Sequence, residues 1–418
     1  MKFNKWTMGL AAVGVVSLAS AARADETQMD KVNTALSHTT LSGYVDVAAV
    51  WRPGTDNNPR TDYYNVPSGA KNDGFYLNAI DLALDKPLDE SPWAAGYHVE
   101  LMAGPDAVPG ISYNSTSYNS TGVVSIRQAY IALRTPVGNS GIDWKVGVWD
   151  SILGYESSSD PLNPNYTRSY GYSMEPTTHT GILATYKVND MVTLQAGIAD
   201  NVNGINNMSG YESQKAYMAA IAFTAPDSAG FMKGATFNAG IVHSIDSYTY
   251  GHGTMDNFYA GVTVPTPVSA LKVGAAFDFY DHHDQSPYNN NYNGNYNGIN
   301  PSDDSAWVAG LYANYQINDK ASVNLRGEYL HDDGEGLYAN YAGYSSYNYN
   351  GYFKGYSVNA EEVTATVQYQ LWANLLSRVE FRWDHNGVDA FGYSQGALSG
   401  VPIRDNDFLL ALNLIYQF

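Results

Sequence analysis

The feature that most constrains this chain is a two-residue period in its apolar side chains, repeated in segment after segment without giving way to helical spacing. In 408–418, Phe408, Leu410, Leu412, Leu414, Tyr416 and Phe418 share one face, with Asn413 and Gln417 on the other. In 378–384, Val379, Phe381 and Trp383 oppose Arg378, Glu380, Arg382 and Asp384. Leu41, Val45, Val47, Ala49 and Trp51 oppose Ser42, Tyr44 and Asp46, and Ile142, Trp144, Val146 and Val148 oppose Asp143 and Lys145. Val192, Leu194, Ala196 and Ile198 oppose Thr193 and Gln195. The pattern returns over 97–103, 271–279 and 323–329, where His98, Glu100, Lys272, Asp278, Asn324, Arg326 and Glu328 take the polar side. A soluble sheet would need a second apolar layer over its apolar face. Lipid supplies that cover for a closed barrel with apolar-out, polar-in strands, in which every backbone group is paired. The segments 75–84 and 125–134 alternate poorly, which predicts bulges or a protein-facing surface there.

The links between these segments alternate in length. Short ones fall near 85–92, 135–141, 189–190, 226–234, 265–270, 318–320 and 371–374. Long ones run over 52–74, 104–122, 150–178, 200–214, 244–257, 281–304, 331–355 and 385–404. This alternation predicts an all-β fold, a transmembrane antiparallel β-barrel of about sixteen strands with long outer loops and short periplasmic turns. Residues 41–418 form one barrel domain. The periplasmic segment before it, 25–40, is too short for a plug, and a barrel of this size is wide enough to hold water.

Residues 1–24 read as a cleaved secretory signal, with Lys2 and Lys5 at the start, an apolar stretch from Met8 to Ala22, and Ala22-Arg23-Ala24 as the cleavage site. The stretch is shorter than the ~20 residues of a spanning helix. Removing the charges of Lys2, Lys5 and Arg23 takes the formal charge from −19 to −22, too acidic for a nucleic-acid binder. Thirty-five tyrosines and a mean hydropathy of −0.30 suit membrane strands with aromatic girdles better than a soluble core. With no cysteine, the long loops of an exported protein are held by other means than disulfides.

Several local patterns point to chemistry that their context opposes. Gly392-Tyr393-Ser394-Gln395-Gly396 matches the G-x-S-x-G nucleophile elbow but sits in a Gly-rich loop with no helix pattern after it, so no enzyme is expected. Asp281-His282-His283-Asp284 reads as a solvated loop, because adjacent side chains rarely converge on one ion. Asp303/Asp304 and Asp332/Asp333 lack the regular spacing of a calcium loop. Neither metal nor cofactor is expected. The runs 288–294 and 347–352, rich in Tyr, Asn and Gly, read as surface loops; a sugar-stacking track is the alternative.

The stretches 126–156 (IRQAYIALRTPVGNSGIDWKVGVWDSILGYE), 178–186 (THTGILATY) and 377–385 (SRVEFRWDH) resemble the bacterial β-barrel porins of the OmpL-like type, over most of the mature chain. The resemblance implies a Gram-negative outer-membrane porin, a water-filled channel for passive diffusion of ions and other small hydrophilic solutes, sugars among the candidates. Its partners would be outer-membrane lipid, lipopolysaccharide and the barrel-assembly machinery, which would read the terminal strand through Tyr416 and Phe418. A barrel serving adhesion or envelope integrity is the alternative function.

By parity, Arg326, Glu328, Arg378, Glu380, Arg382 and Asp384 project inward as pore-lining candidates, since an arginine on the lipid face costs about 2–4 kcal/mol near mid-bilayer. The longest loop, 150–178, corresponds to the connection that folds into the lumen of trimeric general porins, and a homotrimer is the assembly that likeness suggests. Tyr155, Glu156, Asp160, Arg168, Tyr170 and Tyr172 are its constriction candidates, with Pro161 and Pro164 expected to hold it extended.

Overall fold

The computed structural model describes residues 32–33, 39–53, 73–107, 124–138, 140–202, 215–245, 253–284, 303–333, 358–386 and 405–418. The signal segment, the Gly392–Gly396 pattern and the two Tyr/Asn/Gly-rich runs lie outside these residues. A two-residue strand, β1 (Val32–Asn33), precedes the barrel. The wall is then β2 (Thr40–Trp51), β3 (Gly74–Lys86), β4 (Ala95–Ala103), β5 (Val124–Thr135), β6 (Ile142–Asp150), β7 (Thr178–Lys187), β8 (Val192–Ala199) and β9 (Ala216–Thr224). It continues as β10 (Thr236–Ser244), β11 (Gly253–Pro265), β12 (Leu271–Asp284), β13 (Asp303–Asn318), β14 (Ala321–Asp332), β15 (Val358–Trp372), β16 (Leu375–Asn386) and β17 (Asn406–Gln417).

Each of these strands is antiparallel to the next, and β17 pairs back onto β2 from Leu410↔Trp51 to Gln417↔Tyr44. That pairing closes a barrel of sixteen strands. The last rung is a reciprocal pair of hydrogen bonds, 3.0 Å each, between the backbones of Gly43 and Phe418. Closure leaves no unpaired sheet edge, the condition lipid imposes.

The predicted parity holds on the charged strands. Val379 and Phe381 are 48% and 45% exposed on the outer face of β16, whereas Arg378 and Arg382, on either side of them, are 2% and 0% exposed. Large rings, among them Phe223, Phe237, Tyr315, Tyr369, Trp372 and Tyr416, stand exposed near the short-turn end, as in an interfacial girdle.

Both poorly alternating segments are bulged. The β2–β3 register slips at Asp46/Val47, leaving Asn78 as the extra residue, and the β4–β5 register slips at Glu100/Leu101, leaving Arg127. Each bulge puts two successive side chains inside, Asn78 with Ala79 and Arg127 with Gln128.

Three expectations change. The Asp281–Asp284 cluster is the end of β12, laddered to β13, rather than a loop, and His283 Nε2 lies 3.1 Å from Asp281 Oδ2. Strand β11 begins at Gly253, inside the stretch read as a long loop, because Gly253 to Asn257 can ladder onto the extended end of β12. Pro161 opens a tight 3-10 turn, Asp160–Leu162, instead of extended chain, since its fixed φ suits a first helical position. The inner face is apolar along β9 and in part on β7 and β10, where Leu183, Ala216, Met218 and Val242 are buried inside the barrel.

Candidate functional site

The link between β6 and β7, residues 151–177, folds into the barrel, and not one of its residues is exposed. Its two halves are held by different chemistry. Ile152, Leu153 and Tyr155 join the apolar inner face formed by Leu183, Met218, Val242, Tyr259 and Tyr312. Tyr155 stacks on Tyr312 at 4.0 Å between ring centroids, and its hydroxyl lies 3.0 Å from Thr263 Oγ1. A Cβ on Gly274 would collide with that hydroxyl, so glycine there makes room for the ring.

The second half lies on charge. Glu380, on β16, accepts from the backbone N–H of Tyr166 (2.5 Å) and Thr167 (2.8 Å) and from the hydroxyls of Thr167 and Thr366 (2.6 Å each). Arg326, on β14, bonds Glu156 (2.6 Å) and Glu362 (2.7 Å) and donates to the carbonyls of Thr167 (2.8 Å) and Arg168 (3.1 Å). Arg382 pairs with Asp384 at 2.7 Å and donates to the Arg168 carbonyl at 2.6 Å. Arg378 donates to the carbonyls of Asp160 and Asn163. A short helix, α1 (Tyr170–Met174), is capped by Ser169, whose hydroxyl accepts from Tyr172 N at 2.9 Å. Glu328 accepts from Tyr170 N at 2.6 Å, which places a carboxylate at the helix start where N–H groups are unmet.

All six inward candidates on β14 and β16 therefore meet at the loop: Arg326, Glu328, Arg378, Glu380 and Arg382 bind it directly, and Asp384 accepts from the Tyr170 hydroxyl at 2.7 Å. The loop candidates meet there too. Glu156 bridges Arg326 and Ser169 N, Tyr170 lies 5.2 Å beneath the Arg382 guanidinium, and Arg168 pairs within the loop to Asp160 at 2.5 Å and lies 5.1 Å over the Tyr172 ring. Tyr416 and Phe418 stand apart, on the outer seam.

Parity did not single out some of the anchors. Asn78 donates to Asp46 at 2.7 Å and accepts from Tyr166 Oη at 3.1 Å. Arg127 joins Glu100 (2.6 Å), Asp150 (2.7 Å) and the Ser158 hydroxyl. Both are the bulged residues, so broken alternation was their signal in the sequence. Gln368, donating to the Pro164 carbonyl at 2.8 Å, and Asn165, donating to Thr366 at 2.7 Å, carried no such signal.

The inner wall is uneven in its exposure. On the β5–β13 side, towards the short turns, Tyr130, Lys145, Thr185, Gln195, Lys272 and Asn314 are half-buried, whereas Ser322, Leu376 and Ile415 on the facing arc are buried. Towards the short turns the inner wall is thus less covered on the β5–β13 side than on the facing arc.

A closed sixteen-strand barrel with an inward-folded loop between its fifth and sixth strands has the architecture of an outer-membrane porin. Residues 38–418 match the family described as "Putative beta-barrel porin-2, OmpL-like", and the chain belongs to that family. It is an outer-membrane β-barrel channel of bacteria.

The fold is similar to a trimer form of OmpT from Vibrio cholerae (TM-score 0.56, 11% identity, covering 91% of this chain and 99% of that one). It is also similar to the outer-membrane channel DcaP of Acinetobacter baumannii (0.55, 15%, 91% and 97%) and to an anion-selective porin from Comamonas acidovorans (0.56, 12%, 91% and 99%). At these identities the likeness is one of fold. No curated protein sequence matches the chain.

Proposed function

We propose that the channel is a passive diffusion pore for small hydrophilic solutes, ions and small sugars, in which loop 151–177 sets the narrowest section. The observation that carries this reading is the loop's position: it is bound at mid-strand to Arg326, Glu380 and Arg382 on one arc, while the half-buried polar row from Tyr130 to Asn314 remains along the other. In this reading Arg326, Glu328, Arg378, Glu380, Arg382 and Asp384 shape the pore by holding the loop, and Tyr155, Glu156, Asp160, Arg168, Tyr170 and Tyr172 give the loop its fixed form.

The chain would reach the outer membrane through its cleaved signal, be inserted by the barrel-assembly machinery reading Tyr416 and Phe418, and sit among lipopolysaccharide, with a homotrimer as its assembly. No enzymatic step enters this function. The test is swelling of proteoliposomes in uncharged sugars of increasing size. Swelling should be fast in the smallest sugars and fall steeply with molecular size, as a single constriction requires. Failure to swell in any of them would overturn the diffusion-pore reading.

A further inference from the structure

Two carboxyl groups meet at the seat of the loop, where Asp278 reaches so close to Gly171, in the turn of α1 before Glu175, that a Cβ there would lie 2.5 Å from its Oδ2. Glu175, where the loop returns to β7, meets Asp278 on the inner face of β12, and the two residues are 9% and 4% exposed. Carboxylates have no proton to donate, so two facing carboxyl groups can share a hydrogen bond only when one of them is protonated. Asp278 Oδ1 is buried without a hydrogen-bond partner among the described residues, which leaves an ionised Asp278 poorly compensated.

The charges nearby point the same way. Glu156 and Glu328, which pair with Arg326, also face Glu175, while no guanidinium is paired with Glu175 or Asp278 among the described residues, so the pair sits among carboxyl groups in a site closed to bulk water. Full ionisation there would be strongly opposed.

The pair is also wedged into the loop's own entry. Gly154 turns at φ 122° so close to Glu175 that a Cβ would collide with Oε2, and a small cavity of about 30 Å³ beside Glu175 and Glu156 is lined by Asp150, Ser157, Ser158 and Tyr172. Glu175 therefore ties both ends of the loop to the wall.

We propose that the Glu175–Asp278 pair is a proton-dependent latch: with its proton the loop is docked on β12, and without it two adjacent carboxylates push the loop away and widen the pore. The groups facing Glu175 are Asp278 from β12, Glu328 from β14, Tyr259 from β11, and Glu156 from the loop itself. Asp150 and Tyr172 share its cavity, and Arg326 reaches the cluster through Glu156 and Glu328. Burial, reinforced by the facing Asp278, holds the Glu175 carboxyl well above the usual carboxylate range. A group raised in the docked state stabilises that state at low pH and ceases to do so as pH rises through its docked-state pKa. The latch thus opens on the alkaline side.

The widening rests on the diffusion-pore reading, so the experiment has one arm that needs no conduction. Wild type and Glu175→Gln, whose amide can donate permanently to Asp278, are compared at matched pH from neutral to alkaline. Tryptic cleavage after Arg168 in detergent-solubilised barrel reports loop release, and single-channel conductance reports pore width. In wild type both should rise severalfold with pH, and in Glu175→Gln both should stay at the neutral-pH value. Alkaline release of equal size in the two proteins, or none in wild type, would overturn the latch. Release in wild type alone without any conductance at any pH would uphold the latch and overturn the pore.

Discussion

Replacing Arg326 by Met should release the loop and raise single-channel conductance severalfold while the barrel stays folded. Arg326 is wholly buried and is the one side chain that joins Glu156 of the loop, Glu362 of β15 and the carbonyls of Thr167 and Arg168. Removing one partner from a buried ion pair costs about 3–5 kcal/mol, because the remaining charge is stranded. Here Glu156 on the loop loses its ion-pair partner, while Glu362 on the wall keeps Arg382 at 3.6 Å, and the cheapest relief is for the loop to carry Glu156 into water. The barrel does not depend on Arg326, since its strands are held by their ladders around the full circle. Combining Arg326→Met with Glu156→Gln removes the stranded charge and should bring conductance most of the way back. Wild-type conductance in the single variant would mean that the apolar half, around Leu153 and Tyr155, holds the loop alone.

The second large effect is on assembly. Phe418→Asp should reduce heat-modifiable barrel in the outer membrane to a small fraction of wild type, with Phe418→Tyr close to normal. Phe418 makes the last rung with Gly43, and a Cβ on Gly43 would lie 2.9 Å from Phe418 Cζ, so ring and glycine pack at the closing seam. A carboxylate there sits at the end of the β17–β2 seam that joins the end of the sheet to its start, and a sheet that fails to close keeps two unpaired edges. Undiminished heat-modifiable barrel in Phe418→Asp would refute this role.

The wall was legible in the sequence because lipid enforces parity residue by residue. Val379 and Phe381 had to face out and Arg378 and Arg382 in, and the bilayer tolerates no exception of that size. Broken alternation likewise marked the segments 75–84 and 125–134, in which Asn78 and Arg127 prove to be the bulged residues, since a bulge is one extra residue in a period of two. What parity does not contain is the partner. Arg326 meets Glu156 across 170 positions of chain, a pairing set by where the loop folds and by no local pattern. Strand β9 was obscure for a related reason: Ala216 and Met218 join Leu153 in one inner cluster while Phe223 faces outward, so both faces are apolar and the period disappears. The Asp281–Asp284 cluster was misplaced because strand length depends on whether the neighbour extends as well, as the β13 register with His283 and Asp303 does.

If the inward-folded loop narrows the channel, its removal must enlarge it. The measurement is single-channel conductance of wild type and of a protein lacking residues 160–172, recorded in planar bilayers at equal salt. The deletion removes the loop's bonds to Glu328, Glu380, Arg378 and Arg382 while leaving every strand intact. Discrete openings are expected in wild type, with a severalfold larger unit conductance in the deletion. Equal unit conductances in two folded barrels would place the constriction elsewhere and contradict that role of the loop.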